Sequence, residues 1–455
     1  MHFKQFYVGC LAHASYLIGD GGEAVVVDPS RDIERYLAEA KAHRLTIRWV
    51  LETHLHADFV SGHRDLAAAT GAVIGIGAQA EAAWPHRALK EGDEIRVGDV
   101  VLRAIETPGH TPEHLSFVIF EHAGDVKPWG VLTGDTLFVG DVGRVDILSS
   151  RLPVQELAGL MYDSLHRKLL ALPDETRVYP AHGAGSLCGR SISKDSWSTI
   201  GRERQMNAAL RPMTREAFVA EITRDVPETP VYFLHSRDLN RTGPKLAAER
   251  AMPPALGAAA FDQALRGGAL VLDTRDAAAY AAAHIPSALH VGLDGQYASW
   301  VGTLVEPAQS LLLVTDDGRE EEAVMRLERV GYENVLGTLA GGIAAWRDAG
   351  LPLKAHAIEP AGGAIKPGRR ILDVRRPGEW SDGHIDGALH VPLSHLSSRA
   401  AELDRDGDWL VVCAGGYRSS IAASVLERAG FTRVTEGEGG VDALRRAGVS
   451  LLQGT

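Results

Sequence analysis

The chain is poor in cysteine and has no long apolar run. Its 455 residues include three cysteines, Cys10, Cys188 and Cys413, which are odd in number and far apart in sequence. We therefore expect no disulfide framework, and we expect a reducing, cytoplasmic location. No apolar segment approaches the roughly 20 residues that a membrane-spanning helix needs. The N-terminal segment lacks a charged head before an apolar core, so it predicts a first β-strand, not a signal peptide.

An excess of positive charge is also missing. The chain has 47 Lys and Arg against 59 Asp and Glu, which gives a formal net charge of -12. Nucleic acids and anionic membranes attract basic surfaces, so neither is expected as a partner. The hydrophobic fraction of 45% and the charged fraction of 23% are ordinary for a globular protein of two to four domains.

Up to about residue 210, short apolar runs alternate with turn signals. Residues 24–27 precede Asp28, residues 47–51 precede His54, and residues 131–133 precede Asp135 closely. Runs of this length suit buried strands. The polar residues that follow them are therefore expected on loops at strand ends, where a rigid scaffold commonly carries a site.

The second half of the chain contains an internal repeat. Residues 272–275 reappear as 372–375, residues 284–290 reappear as 384–390, and residues 327–332 match 426–431. A period this long indicates duplicated domains, not a solenoid. Strands alternate with helical stretches in each copy, which predicts an α/β unit with a mainly parallel sheet.

Imidazole and carboxylate groups recur at the predicted strand ends of the first half. One such residue alone is weak evidence for a metal, but several at successive strand ends favour a metal site. The donors are His54, His56, Asp58, His110, Asp135 and His182.

This donor pattern resembles the metallo-β-lactamase fold superfamily over residues 1 to about 210. Its hydrolases carry the motif His-x-His-x-Asp-His, whereas the sixth position here is Phe59, which has no lone pair for a metal. In the two-zinc hydrolases the sixth residue binds the second metal, so the resemblance implies that this second site is impaired. The alternative is that Phe59 only packs, while Asp58, His182 and water hold a second metal.

A single metal held by two histidines and one carboxylate, with three open positions, suits non-haem Fe(II) oxygenase chemistry. The sequence resembles the persulfide dioxygenase branch of the superfamily, which implies one Fe(II) per chain on His54, His110 and Asp135. His56, Asp58 and His182 would then lie behind the ligands or be remnants of a second metal site.

The segment 134–146 closely resembles the same branch. The resemblance implies that Arg144 holds a substrate carboxylate. An ion pair of Arg144 with Asp141 or Asp146 is the alternative. Cys188, six residues after His182, either carries a persulfide near the metal or is passive.

A second chemical motif follows the apolar residues 409–412. Cys413 and Arg418 bracket four uncharged residues, among them Gly415, Gly416 and Tyr417, and a helical pattern follows. A strand-to-helix turn directs main-chain amides at the sulfur and favours a thiolate. The spacing resembles the rhodanese sulfurtransferases over residues 365 to 452. It implies Cys413 as nucleophile and Arg418 as its charged partner, with the two glycines and Tyr417 binding substrate.

The first repeat lacks this nucleophile. Its corresponding segment, residues 313–320, contains no cysteine and carries Asp316 and Asp317, which would repel an anionic sulfur donor. We expect a rhodanese-like domain without catalytic activity that serves as a spacer or an interface.

The predicted fold is α/β, a metallo-β-lactamase αββα sandwich (1–235) followed by a non-catalytic (236–355) and a catalytic (356–455) rhodanese-like domain. The expected function is oxidation of thiol persulfides by O2 to sulfite, coupled to sulfur transfer that forms or uses thiosulfate. The alternatives are a zinc thioester hydrolase of the glyoxalase II kind and a non-enzymatic sulfur carrier or sensor. We expect small-molecule partners and a homo-oligomer of undetermined size.

Overall fold

A computed structural model describes residues 1–147, 152–224 and 229–453. The chain forms two compact units. The first contains Met1–Ala251 together with Glu328–Gly331, and the second contains Met252–Leu327 and Tyr332–Thr455.

The described part of the first unit contains two six-stranded sheets, each joined mainly between neighbours in sequence. The first sheet comprises β1 His2–Val8, β2 His13–Asp20, β3 Glu23–Val27, β4 Thr46–Leu51, β5 Val73–Gly77 and β6 Arg87–Leu89. The second comprises β7 Glu94–Val97, β8 Val100–Glu106, β9 Leu115–Phe120, β10 Gly130–Gly134, β11 Arg177–Pro180 and β12 Ser198–Thr199. Its helices are α1 Glu34–Ala42, α2 His63–Thr70, α3 Val154–Asp163, α4 Ile200–Met206, α5 Arg215–Ile222 and α6 Val231–Thr242, with single turns at Ser164–Lys168, Leu169–Ala171, Ala208–Leu210 and Ala247–Glu249.

Strand β2 shows why the two sheets stack. Successive side chains of a strand point to opposite faces. Tyr16 and Ile18 are buried in the core that also contains Leu102 and Phe117 of the second sheet. Leu17, between them, joins a separate core with residues of the helices α1 and α2. The predicted sandwich is thus confirmed, and the predicted first strand is β1.

The second unit contains two five-stranded sheets with the same topology, in which every neighbouring pair is parallel. The first copy has β13 Ala255–Leu256, β14 Leu270–Asp273, β15 Leu289–His290, β16 Leu311–Val314, β17 Val335–Leu339, α7 Ala258–Arg266, α8 Ala277–Ala282, α9 Tyr297–Leu304, α10 Glu320–Glu328 and α11 Gly342–Asp348. The second copy has β18 Ala357–Glu359, β19 Arg370–Asp373, β20 His384–Ile385, β21 Leu389–His390, β22 Trp409–Val412, β23 Val434–Gly437, β24 Leu451–Leu452, α12 Ala361–Ala364, α13 Pro377–Ser381, α14 Leu393–Arg399, α15 Tyr417–Arg428, α16 Gly440–Arg446 and a single turn at Ala400–Glu402; β20 and β24 form a separate two-stranded sheet.

The repeated motifs support the fold in both copies. Arg275 donates from Nη2 to Asp273 at 2.6 Å, and Arg375 donates from Nη2 to Asp373 at 2.7 Å. His290 donates from Nε2 to the main-chain oxygen of Arg275 at 2.9 Å. The equivalent histidine of the second copy makes the same contact at the same distance. The duplication predicted from the sequence is therefore present, while the boundaries at 235 and 355 stay predictions.

Candidate metal centre and thiol loop

The metal donors predicted from the sequence lie after strands of both sheets. His54 follows β4, Asp135 follows β10 and His182 follows β11, whereas His110 lies in the loop between β8 and β9. Each of these side chains belongs to a residue that is at most 1% exposed. The two sheets therefore deliver imidazole and carboxylate groups to a buried region.

His54, His110 and Asp135 form one cluster, in which one ligand atom of each lies within 4.8 Å of the others. Oδ2 of Asp135 lies 3.4 Å from Nε2 of His110 and 4.0 Å from Nε2 of His54. Among the described residues, Oδ2 of Asp135 and Nε2 of His54 have no hydrogen-bond partner. Buried polar atoms are normally paired, so unpaired atoms that face each other fit a bound cation.

The two imidazoles are each held on the far side of the ring. Thr53 donates its hydroxyl proton to Asp28 at 2.9 Å, so the same oxygen accepts a proton from Nδ1 of His54, also at 2.9 Å. Nδ1 of His110 donates to the main-chain oxygen of Arg144 at 2.8 Å. Contacts of this kind fix the ring orientation and leave Nε2 available to a metal.

Asp135 is held in the same way. It accepts a hydrogen bond from Nδ1 of His182 at 2.7 Å, and its amide donates to Nε2 of His114 at 3.0 Å. Burial raises the pKa of Asp135, but the charges of His182 and His110 outweigh it and hold that pKa well below its usual range. Burial lowers the pKa of His54 well below its usual range. An ionised carboxylate and a neutral imidazole are the forms that bind metals.

His56, Asp58 and His182 belong to two neighbouring clusters. Nε2 of His56 lies 3.1 Å from Oδ1 of Asp28 and 3.5 Å from Oε2 of Glu52. Nε2 of His182 lies 2.8 Å from Oδ2 of Asp58. The alternate spacing of His54, His56 and Asp58 would put all three side chains on one face of an extended chain, whereas the structure divides them among three clusters. Their assignment as residues behind the ligands, or as remnants of a second site, stays a prediction.

Phe59 is fully buried against two imidazoles. Its ring centroid lies 4.0 Å from that of His13 and 4.3 Å from that of His56. An aromatic hydrocarbon ring supplies no donor atom. The sixth position of the motif that begins at His54 is therefore filled here by an apolar contact.

Cys188 lies beside His54, His110 and Asp135, the three residues called the triad from here on. Its Sγ is within 4.8 Å of a ligand atom of Asp58 and of His182, and the residue is fully buried. Burial, together with the charges of Asp58 and Asp135, raises the pKa of the Cys188 thiol well above its usual range. A group with so high a pKa is a thiol at neutral pH, not a thiolate. A role for Cys188 in catalysis stays a prediction.

Arg144 is engaged by a neighbouring carboxylate. Its Nε donates to Oδ1 of Asp146 at 2.8 Å, and its Nη2 donates to Oδ2 at 2.6 Å. Nη1 donates to the main-chain oxygen of Leu187 at 3.2 Å. The structure thus contains the ion pair that was the alternative to substrate binding, and a substrate role for Arg144 stays a prediction.

Sequence reasoning missed four residues that surround the triad. Glu52 lies near His56, and the other three hold ligands: Asp28 and Thr53 behind His54, and His114 behind Asp135. Asp28 offered a signal, because it directly follows a buried apolar run as Asp135 does. The roles of the others depend on contacts between separate strands, which one sequence does not reveal.

The predicted strand-turn-helix around Cys413 is confirmed. Strand β22 ends at Val412, and α15 begins at Tyr417. Sγ of Cys413 accepts a hydrogen bond from the amide of Gly416 at 3.1 Å and lies 3.6 Å from Oγ of Ser419. Gly416 has φ +108°, a conformation that favours glycine. The turn therefore directs a main-chain donor at the sulfur.

Arg418 is the second residue of α15 and is bound by a residue that the sequence analysis did not identify. Its Nη1 and Nη2 each donate to one oxygen of Glu379 at 2.6 Å. Such two-fold pairing is the geometry in which guanidinium binds carboxylates and other oxyanions. An anionic substrate at Arg418 would compete with Glu379.

Two family models match the chain. The metallo-β-lactamase superfamily model matches residues 8–182, and the rhodanese-like domain model matches residues 258–349 and 361–447. The chain belongs to the metallo-β-lactamase superfamily, as a fusion with two rhodanese-like domains. The clusters of His and Asp residues are metal-binding groups within that fold.

Relatives of the first half carry different activities. The persulfide dioxygenase ETHE1 of Bos taurus is 32% identical over 211 residues, which cover 45% of this chain and 74% of that protein. A hydroxyacylglutathione hydrolase of Arabidopsis thaliana is 36% identical over 184 residues, 39% of this chain and 67% of that protein. A solved metallo-β-lactamase structure from Staphylococcus aureus is 33% identical, has a TM-score of 0.67 and covers 74% of this chain and 98% of its own. Within the described ranges, no helix has the length and apolar character that crossing a membrane requires.

Proposed function

We propose that the chain oxidises thiol persulfides with O2 and transfers sulfane sulfur through Cys413. The observation that carries the first half is the buried cluster of His54, His110 and Asp135 with its unpaired, facing atoms. Two imidazoles and one carboxylate with open positions suit non-haem Fe(II). The similarity to a persulfide dioxygenase supports this choice. One Fe(II) per chain, when bound, would supply the activation of O2.

In the balanced overall reaction at the first site, one persulfide, one O2 and one water would give one thiol, one sulfite and two protons. The S–S bond of the persulfide breaks, its outer sulfur is oxidised, and O2 is reduced. Thr53 and the main-chain oxygen of Arg144 hold the two imidazoles in place during this step. Buried side chains around the cluster keep bulk water away from it.

Two further residues have proposed roles near the triad. Arg144 would recognise a carboxylate of the carrier thiol, in competition with Asp146, which it binds in the structure. Cys188 would accept sulfur only after losing its thiol proton. Asp58, whose Oδ1 has no hydrogen-bond partner among the described residues, is the nearby base.

At the second site Cys413 would hold sulfane sulfur as a persulfide. Sulfite attacks the outer sulfur, the S–S bond of the enzyme persulfide breaks, and thiosulfate leaves while Cys413 returns as a thiolate. The amide of Gly416 stabilises negative charge on the sulfur. Arg418 and the Gly415–Gly416 turn would hold the anion. The reverse reaction uses the same groups, and the direction depends on which anion is in excess.

The second candidate function is a zinc-dependent thioester hydrolase of the glyoxalase II kind with an accessory rhodanese part. The similarity to hydroxyacylglutathione hydrolase favours it. Phe59 opposes it, because a two-metal site loses a donor at that position. The number and kind of bound metal therefore separate the two functions.

The test begins with anaerobic loading of the full chain with Fe(II) and with Zn(II), followed by metal analysis. O2 uptake is then measured with glutathione persulfide and coenzyme A persulfide, and sulfite and thiosulfate are quantified. We expect one iron per chain and persulfide-dependent O2 uptake. Asp135→Ala should lose both, whereas Asp99→Ala, at an exposed aspartate, should keep both. Two zinc ions per chain with thioester hydrolysis and no O2 uptake would overturn the proposal.

A further inference from the structure

Helix α15, which starts in the Cys413 loop, packs with one face against the first rhodanese copy. Tyr417, Ser420, Ser424 and Glu427 recur every three or four residues and so share a helix face. Each of the four is hydrogen-bonded to the first copy. The first of them, Tyr417, belongs to the thiol loop itself and donates its hydroxyl proton to the main-chain oxygen of Gly292 at 2.8 Å.

His290 holds the middle of that face. Its Nε2 donates to the main-chain oxygen of Arg275, so its Nδ1 accepts the hydroxyl proton of Ser420 at 2.7 Å. Its amide donates to Oγ of Ser424 at 3.0 Å. The histidine is therefore fixed within its own domain and fixes α15 in turn.

A glycine makes room for the ring of Tyr417. A Cβ added at Gly295 would lie 2.4 Å from two ring atoms of Tyr417. Gly295 is not among the residues with positive φ, so its backbone conformation is open to any residue. The contact with the tyrosine ring, and not the backbone, thus requires glycine at this position.

The contact between Gly295 and Tyr417 is supported by residues 313–320 of the first copy, the loop that has no cysteine. Arg319 lies in that loop and donates to both oxygens of Asp294, at 3.0 and 2.8 Å. Asp294 lies between Gly292 and Gly295, the two glycines next to Tyr417. The segment that seats the tyrosine is therefore held at one end by His290 and near the other by Arg319.

We propose that the segment 290–295 of the first copy positions the Cys413 loop through Tyr417. The amide of Gly416, which donates to Sγ of Cys413, directly precedes Tyr417. A shift of the tyrosine moves that amide, and with it the stabilisation of the thiolate. This role rests on the proposed sulfur transfer at Cys413. The first copy would contribute to that transfer by positioning the loop, not by a reaction of its own.

The first test is Gly295→Ala in the full chain, with Gly257→Ala as control, since a Cβ at Gly257 meets nothing within 4 Å. Alkylation of Cys413 by iodoacetamide is followed against pH by peptide mass spectrometry, together with kcat and KM for thiosulfate:cyanide transfer. For Gly295→Ala we expect the pH midpoint of alkylation to rise by about one unit and kcat to fall roughly tenfold. The control should keep wild-type values.

The second test separates positioning from stability. Tyr417→Phe keeps the ring and removes the hydroxyl that donates to Gly292, so kcat should fall less, roughly threefold to fivefold. In a Tyr417→Ala background, Gly295→Ala should add nothing, because the clashing ring is absent.

The opposite outcome is that Gly295→Ala and Tyr417→Phe keep the wild-type pH midpoint of alkylation and lose only thermal stability. That result would show that the contact serves stability alone, and it would overturn the proposal. If the wild-type chain transfers no sulfur from thiosulfate, the proposed function of Cys413 fails. The alkylation comparison still decides the positioning role in that case.

Discussion

At the scale of single residues, Phe59 places an apolar ring among the candidate metal donors. Its ring fills the space beside His56 and His13 and offers no donor. The neighbouring donors Asp58 and His182 are nevertheless present and buried. We therefore infer that a second metal site around Asp58 and His182 would lack one ligand in an otherwise suitable surrounding.

Replacing Phe59 with His tests this view of the second site. We expect Phe59→His to bind a second divalent metal ion, because an imidazole would join Asp58 and His182. Metal equivalents per chain after Zn(II) titration and desalting measure the effect. Phe59→Leu, which adds no donor, is the control and should resemble wild type. A Phe59→His protein that still binds one metal would show that something other than residue 59 limits the site.

The buried His63 provides a prediction about pH. Burial lowers the pKa of His63 to about 3, whereas in an unfolded chain it is near about 6.5. Between these values the unfolded chain binds the extra proton, so folding stability is lost as pH falls below about 6.5. As pH falls from roughly 6 to 4, the free energy of unfolding of wild type should decrease by about 1.4 kcal/mol per pH unit relative to that of His63→Gln.

Urea unfolding at several pH values measures that slope. His122→Gln, at an exposed histidine, is the control and should show no comparable slope. A difference between wild type and His63→Gln that stays constant with pH would contradict a neutral, buried His63.

Residues that follow strands were predictable, whereas their partners were not. His54 and Asp135 each follow an apolar run, so their place at a strand end could be inferred from sequence. Glu379 is 39 positions from Arg418, and Asp28 acts on His54 through Thr53, which is 25 positions from Asp28. Such pairings depend on how loops approach one another in space, which periodicity does not encode.

At the scale of elements, the pairing of α13 with the thiol loop leads to a further prediction. Glu379 of α13 binds Arg418 through both carboxylate oxygens. It therefore engages the guanidinium that we expect to bind an anionic substrate. Glu379→Gln removes the competing charge. We expect KM for thiosulfate to fall roughly fivefold, as for the loss of about 1 kcal/mol from a partly exposed pair. Steady-state thiosulfate:cyanide kinetics measure it.

A matched control exists in the same domain. Glu402 pairs with Arg399 through both carboxylate oxygens, and both side chains are exposed. Glu402→Gln should leave KM unchanged. A higher KM in Glu379→Gln would mean that Glu379 orients Arg418 for the substrate instead of competing with it.

The elements themselves were largely predictable. The hundred-residue repeat implied two equal α/β units, and the two copies share one strand order. The segment 52–59 was harder, because alternate spacing suggests an extended strand, whereas β4 ends at Leu51. The chain turns there, and its donors divide among three clusters. Alternation alone does not distinguish a strand from a loop whose side chains are each fixed by different partners.

At the scale of the whole molecule, the candidate metal centre and the Cys413 loop lie in two separate units. We expect Cys413→Ser to abolish sulfur transfer and to leave O2 uptake with a small persulfide largely intact, because Cys413 is no part of the triad. Sulfite should then accumulate in place of thiosulfate. Cys10→Ser serves as the cysteine control. Loss of O2 uptake in Cys413→Ser with every persulfide would show that the two sites depend on each other.

In evolutionary terms, the ion pair of Arg319 with Asp294 links the histories of the two rhodanese copies. The first copy has no cysteine in the corresponding loop, and a change of the codon for Thr315 could give it one. The loop around Thr315 already supports the second copy, because its Arg319 restrains the segment that contacts Tyr417. A change that made this loop bind an anion would draw Arg319 away from Asp294. The first copy would then gain an anion site, while Tyr417 of the second copy would lose its support. If Cys413 transfers sulfur as proposed, selection on the second copy would therefore act against a new thiol site in the first.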